Sequence, residues 1–195
     1  MAETVQKPGL EGVIAAATAA AGDEPRKRGL PPVHLWNPAH SGKIDIVIRK
    51  DGAWVHEGGI IGREALVRLF STILRRDPDG FWLVTPVEKL RIEVEDAPFT
   101  AVRVDRVGEA LRFVTNVGDE VEAGPEHAIR VEAGEAGEPR PYLHVRRGLE
   151  ALITRPVFYE LAEMAQERET RHGPMLGVES NGAWYPVGPA EGRGP

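Results

Sequence analysis

At 195 residues the chain is long enough to bury a real core, as one domain or two small ones, and its 42% hydrophobic and 28% charged content is ordinary for a globular protein. Cysteine is absent, which excludes disulfides, thiolate metal sites and thiol nucleophiles together and suits a reducing cytoplasm. The net charge is −6, with thirteen acidic and six basic residues between Pro86 and Glu138, so a phosphate backbone would be repelled. No extended nucleic-acid partner is expected, although a small local anion site is compatible with this balance.

The chain opens with a helix expected over Leu10 to Ala21, followed by a polar tether from Gly22 to Pro32 that ends in two prolines. The alanine-rich run Gly12 to Gly22 is short and follows Glu3 where an export signal wants a basic start, so neither export nor a membrane span is expected. Ile44, Ile46 and Ile48 alternate with Asp45, Val47 and Arg49, the pattern of a strand with one buried face. Lys50-Asp51-Gly52 then supplies a turn into a second strand, Ala53 to Glu57. After Gly58-Gly59 the period changes: Leu66, Leu69, Phe70, Ile73 and Leu74 fall on one helical stripe, with Glu64, Arg68, Ser71 and Arg75 opposite. That helix is expected to end before Asp77, with Arg75 and Arg76 at its C-terminus.

Strands are expected over Phe81–Thr85, Leu90–Val94, Phe99–Val104, Leu111–Asn116, His127–Glu132 and Tyr142–Arg146, separated by turns in the manner of antiparallel sheets. A second helix should run from Arg155 to about Glu169, capped by Thr154 and tolerant of Pro156 in its first turn. A loop from Arg171, a last strand through Trp184-Tyr185 and a disordered tail complete the chain. The expected organisation is a helix and tether over 1–32, an N-terminal α+β domain over 33–95, a C-terminal domain over 96–187, and the tail over 188–195.

One unit recurs in this order. Ile46 to Gly52, the helix opening at Arg63, and Asp79-Gly80-Phe81-Trp82 are matched by Leu143 to Gly148, the helix opening at Arg155, and Asn181-Gly182-Ala183-Trp184, at offsets of 97, 92 and 102 residues. The fold class expected is α+β, with two similar small domains from an internal repeat, mainly antiparallel strands and one helix each. The interface between the copies is a natural place for a ligand.

Gly58-Gly59-Ile60-Ile61-Gly62-Arg63 runs from strand to helix, where free backbone N–H groups could hold an anion or the glycines could serve a tight turn. Arg63 and Arg155 each open a matched helix although arginine there opposes the helix dipole. They are read as anion ligands or as ion-pair partners of Glu88, Glu95 or Asp96. Thr85, Glu88, Lys89, Glu95 and Asp96 bracket the strand that leads into the second copy. The six histidines form neither His-x-His nor His-Glu-x-x-His, and no activated nucleophile is evident, so no metal, cofactor or catalytic constellation is expected.

Trp36-x-Pro38, Asp51-Gly52-x-Trp54, Leu66-Val67-Arg68-Leu69-Phe70-Ser71, Leu83 to Lys89 and Val94 to Phe99 together resemble the bacterial family called domain of unknown function 1285. Ile153-Thr154-Arg155-Pro156-Val157-Phe158-Tyr159 is similar to its C-terminal signature, while Gly59-Ile60-Ile61 departs from it by lacking the family's usual proline. The resemblance implies two similar α+β domains, the C-terminal one pleckstrin-homology-like, a small-ligand site between them for something nucleotide-like, and a role in signalling. The expected function is therefore a cytoplasmic, non-catalytic protein binding a small anionic or nucleotide-like ligand through Arg63, Thr85, Glu88, Lys89, Glu95, Asp96 and Arg155. The alternative is a protein–protein interaction adaptor that needs no small molecule.

Overall fold

A computed structural model describes residues 9–21 and 29–190. Most of the expected tether and the end of the expected tail lie outside the described residues. The chain divides into two compact units, one up to Asp96 and one from Ala97. Strands dominate both, most of them antiparallel, with three α-helices among the described residues. This is an α+β, two-domain architecture.

In the first unit, helix α1 (Leu10–Ala21) buries Val13 and Ala17. A short 3-10 turn over Val33–Leu35 precedes strands β1 (His40–Ile48), β2 (Trp54–His56) and β3 (Gly59–Ile60), then helix α2 (Glu64–Thr72) and strands β4 (Leu74–Asp77), β5 (Gly80–Val84) and β6 (Glu88–Val94). They form one six-stranded sheet in the order β3-β2-β1-β6-β5-β4. Its pairs are antiparallel except at the centre, where β1 runs parallel to β6 with Gly42 opposite Leu90. A side chain at Gly42 would lie 3.2 Å from Leu90, so a small residue suits that close pairing. The alternating Ile44, Ile46 and Ile48 are buried with Leu90 and Ile92, and Trp54 stacks on Phe70 of α2 at 6.2 Å. Each such side chain contributes about 1.5–3 kcal/mol by leaving water.

Two expectations fail here. Helix α2 stops at Thr72, and Arg75 and Arg76 belong to β4, where they pair with Trp82 and Phe81 across an antiparallel hairpin. The apolar stripe that suggested a longer helix ends in Ile73 and Leu74, and both are buried from non-helical positions. Ser71, expected on the polar face, is 3% exposed, and its hydroxyl donates to the Arg68 carbonyl at 2.7 Å.

The second unit contains β7 (Phe99–Val107), β8 (Ala110–Thr115), β9 (Glu120–Glu122), β10 (Ile129–Ala133), β11 (Pro139–Arg146) and β12 (Leu149–Ile153), then helix α3 (Arg155–Met164) and strands β13 (Gln166–Thr170), β14 (Gly173–Ser180) and β15 (Ala183–Pro189). The first six strands make a sheet in the order β10-β11-β12-β7-β8-β9, and the last three make an antiparallel sheet of their own. Helix α3 packs on β7 and β14, while β15 meets β10 and β11 and β14 meets β8. Phe99, Leu111, Phe113, Leu143, Leu149, Leu161 and Val178 fill the resulting core.

Helix α3 ends at Met164, short of the expected Glu169, because Gln166–Thr170 pair with β14. Thr154 occupies the N-cap position, yet its hydroxyl donates to the Ala101 carbonyl at 3.1 Å and caps nothing. The hairpin and helix recur in both units in the expected order. The third matched segment sits differently, since Asp79-Gly80 lies between the first and second strands after its helix and Asn181-Gly182 between the second and third.

One buried hydroxyl joins the two sheets of the second unit. Ser180 is fully buried, its Oγ accepts from the Leu111 amide at 2.8 Å and donates to the Ala123 carbonyl at 2.7 Å. Replacing Ser180 by Ala leaves a buried N–H without an acceptor. We expect urea denaturation of that variant to show a loss of about 1–3 kcal/mol.

Candidate ligand-binding site

Within the first unit, Thr85, Glu88, Lys89, Glu95 and Asp96, all singled out from sequence, fall at both ends of β6. Thr85 closes the turn between β5 and β6: its amide donates to the Glu88 carbonyl at 2.9 Å, and its hydroxyl contacts the Glu88 amide and carbonyl, each at 3.2 Å. Lys89 lies one residue further along, with its Nζ 3.7 Å from Asp77 and 4.3 Å from the Trp82 ring centre. Glu95 and Asp96 follow the other end of β6, roughly 20 Å away at about 3.3 Å per strand residue. There Glu95 accepts from the Lys50 amide at 2.9 Å.

Arg63 is exposed at the N-cap of α2 and makes no ion pair among the described residues. Arg155 is exposed in the first turn of α3, in the second unit. Of the glycines before Arg63, Gly58 serves the backbone. Glu57 and Gly58 both have positive φ, at 48° and 79°, and turn β2 into β3.

Around Lys89 the structure builds a charge cluster that sequence reasoning missed. Arg75 donates through Nε and Nη2 to both carboxylate oxygens of Asp77, at 2.7 and 2.8 Å, and through Nη1 to the carbonyls of Val33 and Trp36. Trp82 donates to Asp79, and both Lys89 and Arg91 lie over its ring. The Arg75 hydrogen bond holds the Asp77 carboxyl below its ordinary value of 3.8, aided by the charges of Arg75 and Lys89 and opposed by burial. The signal in the sequence was Arg75-x-Asp77, a spacing that puts both side chains on one face of a strand but apart on a helix. Within it Arg75 and Lys89 are paired with Asp77, while Arg91 donates to the Asp79 carbonyl at 2.7 Å and makes no ion pair among the described residues. The cluster ties β4, β5, β6 and the 33–36 segment together.

Two of the histidines, His127 and His144, are also engaged structurally. His144 Nε2 accepts from the Gly148 amide at 3.1 Å, which leaves Nδ1 to donate to the Glu126 carbonyl at 2.7 Å, and its ring stacks on His127. Among the described residues no three His, Asp or Glu side chains gather in a way that could hold a metal ion.

A cleft of about 450 Å³ does exist, within the second unit. Its walls are the β7–β8 turn, with Arg106, Gly108 and Glu109, the end of α3 with Met164, the start of β13 with Gln166, and β14–β15 with Glu179, Gly182 and Trp184. The two turns are bonded to each other, the Asn181 amide donating to the Glu109 carbonyl at 3.1 Å. Asn181 and Gly182 both have positive φ, at 48° and 74°, the conformation that a tight two-residue hairpin needs and that Asn-Gly adopts at low cost. Trp184 lies across Gly177, where a side-chain carbon would be only 2.3 Å from the indole. Arg168 covers the same ring at 5.3 Å and pairs with Glu179 at 3.1 Å. The Trp184 indole N–H is shielded and has no acceptor among the described residues.

The charges of this cleft are unevenly matched. The Arg106 guanidinium reaches the Glu179 carbonyl at 3.3 and 3.4 Å and makes no ion pair among the described residues. The Glu109 carboxylate, three residues along, likewise has none. Of the lining residues, the sequence marks Gly182 and Trp184, through the matched segment Asn181-Gly182-Ala183-Trp184, but not Arg106 or Glu109.

The family description "Domain of unknown function (DUF1285), N-terminal domain" matches residues 31–97, and "Protein of unknown function (DUF1285), C-terminal domain" matches residues 98–187. The chain belongs to the DUF1285 family. A DUF1285 protein of Silicibacter pomeroyi DSS-3, known from a crystal structure, is 45% identical over 92% of this chain and 96% of its own, with a TM-score of 0.82. Another, from Shewanella baltica OS155, is 28% identical over 60% of this chain and 90% of its own, with a TM-score of 0.50. No curated protein matches this chain. The DUF1285 division at residues 97 and 98 falls one residue from the division between the two compact units.

Three variants test this description. Arg63→Ala, at an exposed residue without a partner, should leave the unfolding free energy within about 0.5 kcal/mol of wild type. Gly177→Ala should displace Trp184, cost about 1–3 kcal/mol by overpacking and change the indole emission. Asp77 binds its proton less readily in the native state, so its contribution is present above 3.8 and lost as pH falls through the lowered native value. Asp77→Asn should therefore be less stable than wild type at neutral pH, with the gap closing on acidification below that range in urea titrations.

Proposed function

We propose that this DUF1285 chain is a non-catalytic, cytoplasmic binding protein that takes a small ligand carrying an anionic group, with a role in signal transduction. The observation that carries the reading is the cleft of the second unit, where Arg106 presents a guanidinium that no carboxylate among the described residues neutralises. An arginine so placed favours a carboxylate or phosphate, with which its planar fork pairs in two hydrogen bonds. A nucleotide-like ligand would place its anionic group there. The non-catalytic reading is supported by the use of the buried hydroxyls, since those of Thr85, Ser71 and Ser180 are each engaged with backbone groups.

A signalling role fits a cleft made of two turns bonded to each other, one from each sheet of the unit. A ligand bridging them would stiffen the join between sheets, a change that a partner could sense. We read this unit as pleckstrin-homology-like, on the support of a six-stranded and a three-stranded sheet with one helix packed on a strand of each. Likeness between the two units as copies of one repeat rests on the recurring hairpin and helix. The adaptor reading is supported chiefly by Tyr159, 59% exposed on α3.

A thermal-shift screen against inorganic phosphate, nucleotides, carboxylates and amino acids tests the proposal. A ligand at a hundred times its dissociation constant stabilises by about 2.7 kcal/mol. The expected result is a selective rise in Tm that Arg106→Gln abolishes and Arg63→Ala preserves. No shift across the screen, or one that survives Arg106→Gln, would sink this reading.

A further inference from the structure

We infer that the ligand of the second-unit cleft is a small zwitterion, an amino acid or ω-amino acid, in preference to a phosphate or nucleotide. The inference rests on the proposal that this cleft is the binding site, and it narrows the ligand from the charges in its walls. Arg106 and Glu109 stand at the end of one hairpin, one in β7 and the other in the turn after it, and neither makes an ion pair among the described residues. The cleft thus presents one uncompensated positive and one uncompensated negative group. Glu179 adds a second carboxylate, already answered by Arg168 at 3.1 Å.

A phosphate monoester paired with Arg106 would bring close to two negative charges into a cleft that Glu109 and Glu179 also line, and like charges sharing one cleft repel. A zwitterion meets both groups favourably. Its carboxylate pairs with the Arg106 fork, and its ammonium, with three donors and no acceptor, pairs with the acceptor-only Glu109 carboxylate. Met164 and Trp184 line the same cleft with thioether and aromatic surface, which suits methylene groups lying between the charged ends. The cleft is open to water and both charged groups are on exposed residues, so affinity should fall roughly in the millimolar to high-micromolar range.

The test is an NMR titration of the ¹⁵N-labelled full chain, which carries four tryptophan indole signals. The probes are glycine, β-alanine, 4-aminobutyrate and 6-aminohexanoate, to span charge separations, with hexanoate, hexylamine and AMP as single-sign controls. At least one amino acid should move the Trp184 indole and the Gly108 and Gly182 amides in a saturable way, with each single-sign control at least tenfold weaker. Glu109→Gln and Arg106→Gln should each weaken that binding by about tenfold or more while keeping a dispersed native spectrum. Saturable movement of the same signals by AMP or hexanoate, undiminished in Glu109→Gln, would overturn the zwitterion and keep an anion site in the cleft. Movement by hexylamine alone would overturn both the zwitterion and the anionic ligand. Silence of these signals for every probe would overturn the cleft as the binding site.

Discussion

The second unit depends on a hydroxyl group that never meets water. A three-stranded sheet lying against a six-stranded one could slide, because apolar contact has no direction. Ser180 removes that freedom by accepting from Leu111 and donating to Ala123, and Asn181 adds a side-chain bond of 2.9 Å to the same carbonyl. Those bonds set the β14–β15 turn against the β7–β8 turn, and the cleft is the space left between them and the end of α3. The position of Arg106 and Glu109 relative to Trp184 is thus set by Ser180 together with the Asn181 and Arg106 bonds between the same two turns.

In the first unit the comparable constraint is electrostatic. Arg75 sits on a strand near a sheet edge and satisfies Asp77 together with two carbonyls of the 33–36 segment, so one guanidinium fastens an otherwise irregular stretch to β4. Lys89 and Arg91 then lie over the ring of Trp82, which is buried. Charge here serves cohesion, and in the cleft of the second unit Arg106 and Glu109 make no ion pair among the described residues.

Much of the local structure was legible from the chain alone. Ile44, Ile46 and Ile48 alternate as a one-faced strand must, Asp51-Gly52 carries the chemistry of a tight turn, and Pro156 marks the first turn of a helix. These are short-range preferences, set by sterics within a few residues. The helix ends were misread for a reason equally physical. Leu74 continues an apolar spacing of three and four residues, and Gln166 to Thr170 have good helix formers, so only the cross-strand partners in β5 and β14 show that both segments are extended.

Residue types, turn positions, net acidity and family membership were within reach of the sequence by itself, because each depends on neighbours along the chain or on recurring motifs. The parallel pairing of β1 with β6, the seat of Trp184 over Gly177, the burial of Ser180 and the charge balance of the cleft were decided only in three dimensions. Each depends on groups brought together across the fold, such as Arg106 and Glu179. Arg63 and Arg155 stand out along the chain because each opens a matched helix, and Thr85 to Asp96 because they join the two copies, yet β6 alone separates Lys89 from Glu95 by most of its length. A binding site is a set of distances, and a linear pattern constrains distances only within one strand or one turn.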